Sequence, residues 1–168
     1  MMRPILICQR CEILEQLPDA ATIIVPVGDS ALIRGVAFAA RHLKPAIRII
    51  GVQAEQAPAY YLSWKEGRVI QTDSCTTIAD GLATRSPFGE NMTSIRQLVD
   101  DMCLVTEQEL LVAVRCLAQD ENLIAEPAGA AALAAYLART DELSDGATVL
   151  VVNGGNVAPE VLDKALHG

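Results

Sequence analysis

Residues 23–35 read Ile-Ile-Val-Pro-Val-Gly-Asp-Ser-Ala-Leu-Ile-Arg-Gly. A β-branched run that enters a one-glycine turn and leaves as a helix aims the free N–H groups of the helix start at whatever occupies the turn, and the natural occupant is an anion. Gly28 tolerates the tight geometry, Ser30 is the candidate N-cap, and Ala31 leads into the helix. Asp29 works against the anion. Two unit charges about 4 Å apart repel by roughly 4 kcal/mol at an effective dielectric of 20, and a phosphate carries more than one charge. The turn therefore reads either as a phosphate cradle compromised by its own aspartate or as an ordinary strand-to-helix turn.

A second candidate site is Val152-Asn153-Gly154-Gly155-Asn156, just past a β-branched run. Two glycines let a ligand ring approach the backbone, and the Asn153 amide offers a donor and an acceptor. The plain alternative is a turn. Glu126, before Pro127, is either a carboxylate in the same cleft or a helix-start residue favoured by the dipole, and the latter is the simpler reading. Cys8 and Cys11 form a C-x-x-C, but no second ligand pair accompanies them and the only histidines are His42 and His167. They read as small apolar residues on or before a first helix.

These groups need a scaffold to bring them together. The chain has 168 residues, 51% of them hydrophobic and 20% charged, a globular balance that fits one α/β domain over 1–168. A net charge of −8 argues against nucleic acid, whose binding rests on an excess of Lys and Arg. No apolar run approaches the roughly 18 residues of a membrane span, and the start is too short to be a secretory leader. Five scattered cysteines suit reduced thiols, so a cytoplasmic location is expected.

An imperfect helical stripe over 5–17 stops at Pro18. Thr22 to Val27 is a continuous β-branched run of the kind buried on both faces of a parallel sheet, followed by a helix from Ser30 to Leu43 and a strand from Ile47 to Gln53. Further helices are expected from Ala57 to Lys65, ended by Gly67, and from Thr93 to Asp100, after turn chemistry at Ser86 to Gly89. Met102 to Val105 reads as a short strand. Thr106 and Glu109 form a capping box for a helix to about Gln119, and Pro127 opens an alanine-rich helix to Arg139. Ala147 to Val152 reads as a last buried strand, and Pro159 to Leu166 as a terminal helix. Strands alternating with helices predict an open, mostly parallel sheet with helices on both faces and ligand sites at the strands' carboxyl ends.

Taken in order, V-P-V-G-D-S-A-L-I-R-G-V-A at 25–37, I-I-G-V-Q at 49–53, T-I-A-D-G-L-A at 77–83, L-V-D-D at 98–101, V-T-E-Q-E at 105–109, E-P-A-G-A-A at 126–131 and V-V-N-G-G-N at 151–156 resemble the threonine dehydratase and serine racemase family. Those are fold-type II pyridoxal-phosphate enzymes. The resemblance runs from about Glu12 onward and corresponds to the C-terminal half of the family's large domain. It implies that the Schiff-base lysine and the loop gripping the substrate carboxylate belong to an N-terminal half and small domain without counterpart here. None of Lys44, Lys65 and Lys164 lies in a segment like the family's lysine segment.

The resemblance also assigns roles to single residues. Gly28, Asp29, Ser30 and Ala31 stand where the family's glycine run cradles the cofactor phosphate, and Asn153 stands where a serine donates to the pyridine nitrogen. Gln53 and Ala59 stand where racemase-like members hold a divalent metal with Glu and Asp, so no metal is expected, since an amide and a methyl cannot neutralise a hard cation. No bound pyridoxal phosphate and no catalytic residue are expected either. The resulting expectation is a stand-alone remnant of a dehydratase-like enzyme, inactive by itself. An apolar face and an unpaired edge would drive it to a homo-oligomer, most simply a dimer. The alternatives are one component of a split ammonia-lyase completed by a chain carrying the N-terminal half, and a module binding a small amino acid or anion.

Overall fold

The computed structural model describes residues 12–142 and 146–168. Four strands form one sheet: β1 (Thr22–Pro26), β2 (Arg48–Ala54), β3 (Asp101–Val105) and β4 (Thr148–Leu150), in the order β3-β2-β1-β4. All three pairings are parallel, with Ile24 opposite both Ile50 and Leu150. Around the sheet lie α1 (residues 12–16), α2 (Ala31–Leu43), α3 (Ala59–Glu66), α4 (Gly89–Leu98), α5 (Glu107–Asp120), α6 (Pro127–Ala138) and α7 (Pro159–His167).

The period of two along each strand divides the core. Ile23, Val25 and Ile49 face a layer with α2, α3 and α4, where they meet Ile33, Tyr60 and Ile95. Ile24, Ile50 and Val52 face the opposite layer, with Leu110 and Val114 of α5 and Ala131 and Ala135 of α6. Every residue of β1 is buried, because the strand has a neighbour on each side and a helical layer on each face. The expected α/β architecture, with helices on both faces, is thus present, and the sheet is wholly parallel.

The helix starts follow their local chemistry. Thr106 Oγ1 accepts from the Glu109 N–H at 3.2 Å while Glu109 Oε2 accepts from the Thr106 N–H at 2.7 Å, so the capping box is formed. Pro127 occupies the first turn of α6, with Glu126 at the N-cap position. Gly67 ends α3 in the left-handed region at φ 75°, its N–H donating to Ser63 O.

Three expectations shift. The helix predicted from Thr93 begins at Gly89, so Phe88 is its N-cap residue and only Gly89 of the expected 86–89 turn enters the helix. The last strand is shorter than 147–152, and its three residues are half-buried rather than buried. Among the described residues it is an edge strand, paired with β1 alone, and the ladder stops with Leu150 opposite Ile24. Finally, the helix expected over 5–17 is seen only at 12–16; its first residues, with Cys8 and Cys11, lie outside the described residues.

Candidate functional site

Because all strands run the same way, the turns following β1 and β4 emerge at one end of the sheet, the end where an α/β fold binds ligands. The Gly28-Asp29-Ser30 turn follows β1, and the Asn153-Gly154 turn follows β4. They are joined through a third segment. A Cβ on Gly28 would stand 2.1 Å from the carbonyl oxygen of Gly81, so the backbones of 28 and 81 are in direct contact. Gly81 in turn packs against Ala128, and Glu126 Oε1 lies 3.7 Å from where its Cβ would be. Glu126 also packs on Gly154, and the Asn153 carbonyl oxygen presses on Gly129 so closely that a Cβ there would sit 1.7 Å away. The strand-end surface is therefore built on glycine contacts between backbone segments.

Glu107 brings the third segment into place. Its two carboxylate oxygens accept from Thr77 Oγ1 at 2.6 Å and from the Ile78 N–H at 2.9 Å, which ties the loop ahead of Gly81 to the first turn of α5. Sequence reasoning used residues 77–83 as one of the family motifs and missed this tie. No local pattern marks it, since the partners are 29 and 30 residues apart.

Within the turn the roles of two residues are exchanged relative to the sequence reading. Ser30 is at the N-cap position, but its hydroxyl makes no capping bond; it is buried and donates to Tyr60 Oη at 3.3 Å while accepting from Arg34 Nε at 3.3 Å. The exposed Asp29 caps instead, its Oδ1 accepting from the Ala31 N–H at 2.9 Å. The reason is backbone conformation. Ser30 lies in the left-handed region, at φ 74°, which carries its side chain away from the helix start and leaves the preceding carboxylate to reach it. The turn thus already holds an anion, its own.

Asn153 is exposed, and its amide makes no hydrogen bond among the described residues. It lies, with Gly154, beside a trough of about 470 Å³ along β4, lined also by Ile13, Leu32, Val149 and Val151. Gln53, near the end of β2, is fully buried; its Oε1 accepts from the Tyr61 N–H at 2.9 Å and its Nε2 has no partner. Ala59, on the first turn of α3, is buried as well. An amide whose oxygen is already engaged and whose free group is a donor does not suit a divalent cation, and no group of three or more His, Cys, Asp or Glu among the described residues is placed to hold one.

Comparison with known proteins settles the family. The pyridoxal-phosphate dependent enzyme family matches residues 10–155. The chain belongs to that family. An L-threonine ammonia-lyase of Geobacter sulfurreducens is 42% identical over 146 residues, which are 87% of this chain and 36% of that protein. The catabolic L-threonine dehydratase TdcB of Escherichia coli K12 is 36% identical over 148 residues, 87% of this chain and 45% of that one. Among solved structures, maize serine racemase superposes with a TM-score of 0.83 at 34% identity, over 93% of this chain and 49% of that chain. The processed form of threonine deaminase isoform 2 from Solanum lycopersicum gives 0.88 at 29% identity, over 95% and 48%. The chain therefore spans less than half the length of these threonine lyases and about half of each solved relative. The fold of this pyridoxal-phosphate family portion is the fold-type II one expected from the motifs.

Proposed function

We propose that this 168-residue polypeptide, taken by itself, is a catalytically silent portion of a threonine ammonia-lyase-like pyridoxal-phosphate enzyme, and that it self-associates. One observation carries the first half: none of its three lysines is at the strand-end surface. Lys44 Nζ donates to Pro18 O and Ala20 O, at 3.0 and 2.9 Å, beside the amino end of β1. Lys65, in the last turn of α3, sits 5.7 Å from the Tyr61 ring centroid, and Lys164 is exposed on α7. The cofactor's chemistry is that of an electron sink held to an enzyme amine. In this polypeptide no side-chain amine is placed to supply that link.

The cradle supports the same reading. The Asp29 carboxylate sits on the first N–H of α2, so a phosphate would have to displace it and then stand beside it; the residues present do not fit that dianion. Adding pyridoxal phosphate to the purified polypeptide, dialysing, and assaying ammonia and oxo-acid release from threonine is expected to show neither retained cofactor nor turnover. Stoichiometric retention with turnover would overturn the proposal. Asp29→Gly frees the Ala31 N–H and removes the repulsion, so inorganic phosphate is expected to shift the Ala31 amide resonance in that variant and not in the parent.

A second reading is a component completed by a chain that carries the lysine-bearing half, and the open edge of β4 with its apolar trough favours it. Mixing with such a chain would then produce cofactor binding and ammonia release from threonine. A small-ligand module is tested by the same preparation, since a ligand at 100 times its dissociation constant should stabilise by about 2.7 kcal/mol.

A further inference from the structure

Ser30 is held in a left-handed conformation that non-glycine residues seldom adopt, and such outliers persist only where surrounding structure enforces them. The enforcing groups come from α3 and α4. Tyr60, fully buried, donates its phenolic hydrogen to the Asp29 carbonyl oxygen at 3.1 Å and accepts from the Ser30 hydroxyl at 3.3 Å. Asn91 Nδ2 donates to the same carbonyl at 3.3 Å and reaches Tyr60 Oη at 3.5 Å. Each oxygen in this circuit has a donor, and the single phenolic hydrogen is used.

Tyr60 is itself held from behind. The next residue's N–H, at Tyr61 in the first turn of α3, donates to Gln53 Oε1, a side chain with no solvent exposure whose own Nε2 is left without a partner. An apolar residue at 53 would avoid the orphaned nitrogen, so the side chain is explained by the one bond its oxygen makes. That bond joins the end of β2 to the helix start and fixes α3 against the strand whose neighbour, β1, leads into the turn.

We propose that Tyr60 is the positioning residue of the Gly28-Asp29-Ser30 turn and that Gln53 positions Tyr60 by capping α3. A conformation that a glycine at position 30 would adopt freely is imposed here by a tertiary clamp, whatever the turn binds. The residues that impose it, Tyr60, Asn91 and Gln53, are uncharged, the Arg34 guanidinium touching the circuit only at the Ser30 hydroxyl.

The test is residue-resolved amide exchange with a stability measurement on each variant. Tyr60→Phe, which deletes one oxygen, is expected to speed exchange of the Ala31 amide by about tenfold, leaving β1 amides little changed once the global stability difference is allowed for. Ser30→Gly in that background is expected to restore most of the protection, because glycine needs no enforcement at positive φ. Gln53→Met should reproduce the Tyr60→Phe pattern and Gln53→Glu, which keeps an acceptor, should not. Exchange of the parent should be the same in EDTA and in magnesium or calcium. If Tyr60→Phe leaves the Ala31 amide unchanged, or speeds the turn and β1 equally, the clamp is refuted. Cation-dependent protection, or a Gln53→Met variant that behaves like the parent, refutes the role given to Gln53. Asn91→Ala, on the half-buried side of the circuit, gives the same readout if Tyr60→Phe does not fold.

Discussion

Two residues show how position overrides type. Glycine inside a helix ordinarily lowers stability by about 1 kcal/mol relative to alanine, so Gly129→Ala on α6 would be expected to stabilise. Its Cβ would stand 1.7 Å from the Asn153 carbonyl oxygen, which is backbone and cannot swing aside. The clash wins, and the substitution is expected to destabilise by the upper end of roughly 1–3 kcal/mol, read as a lower urea midpoint. Cys103, on β3, is the other case. Burial pushes its thiol up from an ordinary 9.0 to about 11, with Arg139 pulling the other way less strongly. The folded state therefore keeps a proton that the unfolded chain releases. Whatever this contributes to stability is fully present below pH 9 and is lost as pH rises from about 9 through about 11. Cys103→Ala should flatten the fall in urea midpoint between pH 8 and 10, and at pH 8 Cys103 should alkylate more slowly than Cys75 or Cys116. At this scale the sequence was legible where the reason is local. Gly28 is needed, as its place in a tight turn suggested, but the contact that needs it is with Gly81, 53 positions on, and no spacing rule reaches that far.

Elements were read best where one short segment contains its own physics. The Thr106 and Glu109 box is closed by residues three apart, and β1 is apolar from Ile23 to Pro26 and buried throughout because both its faces and both its edges are covered. Thr106→Ala is expected to cost about 1 kcal/mol, and adding Glu109→Ala should cost less than the sum of the two single changes, because the two bonds form one unit. A double-mutant cycle in urea measures it. The errors fell where a neighbour decides. β4 carries the same β-branched composition as β1, so the sequence predicted a buried strand of six residues. It has one partner instead of two, and three residues are paired. Ser30 was rightly placed at the start of α2, but the capping side chain was misassigned for a similar reason: Asp29 and Ser30 are both good capping residues, and the choice between them is made by Tyr60, 30 residues from Ser30. The strand-end position of the site was legible from the alternation of strands and helices. In its interior, Glu126 beside the Asn153-Gly154 turn was one of two readings the sequence left open, whereas the contact of Gly28 with Gly81 and of Gly81 with Glu126 was not legible.

For the whole molecule two long-range terms oppose each other. Along β4 and just beyond it, Val149, Leu150, Val151 and Val152 are all half-exposed and border an apolar trough with Leu32 and Ile13, an edge unpaired among the described residues and of the kind that recruits another strand. A net charge of −8 repels a second copy. Burial of apolar surface is insensitive to moderate salt, whereas repulsion between exposed charges is screened over about 8 Å at physiological ionic strength. Association of the 168-residue polypeptide is therefore expected to strengthen as salt is raised from low to physiological values, the opposite of an assembly held by ion pairs. Val151→Lys places a charge just past the last β1–β4 residue pair and should shift sedimentation equilibrium to monomer; because Val151 also packs against the α2-side core, the urea midpoint is measured alongside and a drop is expected. A parent that sediments as monomer at both salt concentrations would show that the edge is too short, at three paired residues, to recruit a second copy, and that the trough is covered by some other chain or by none.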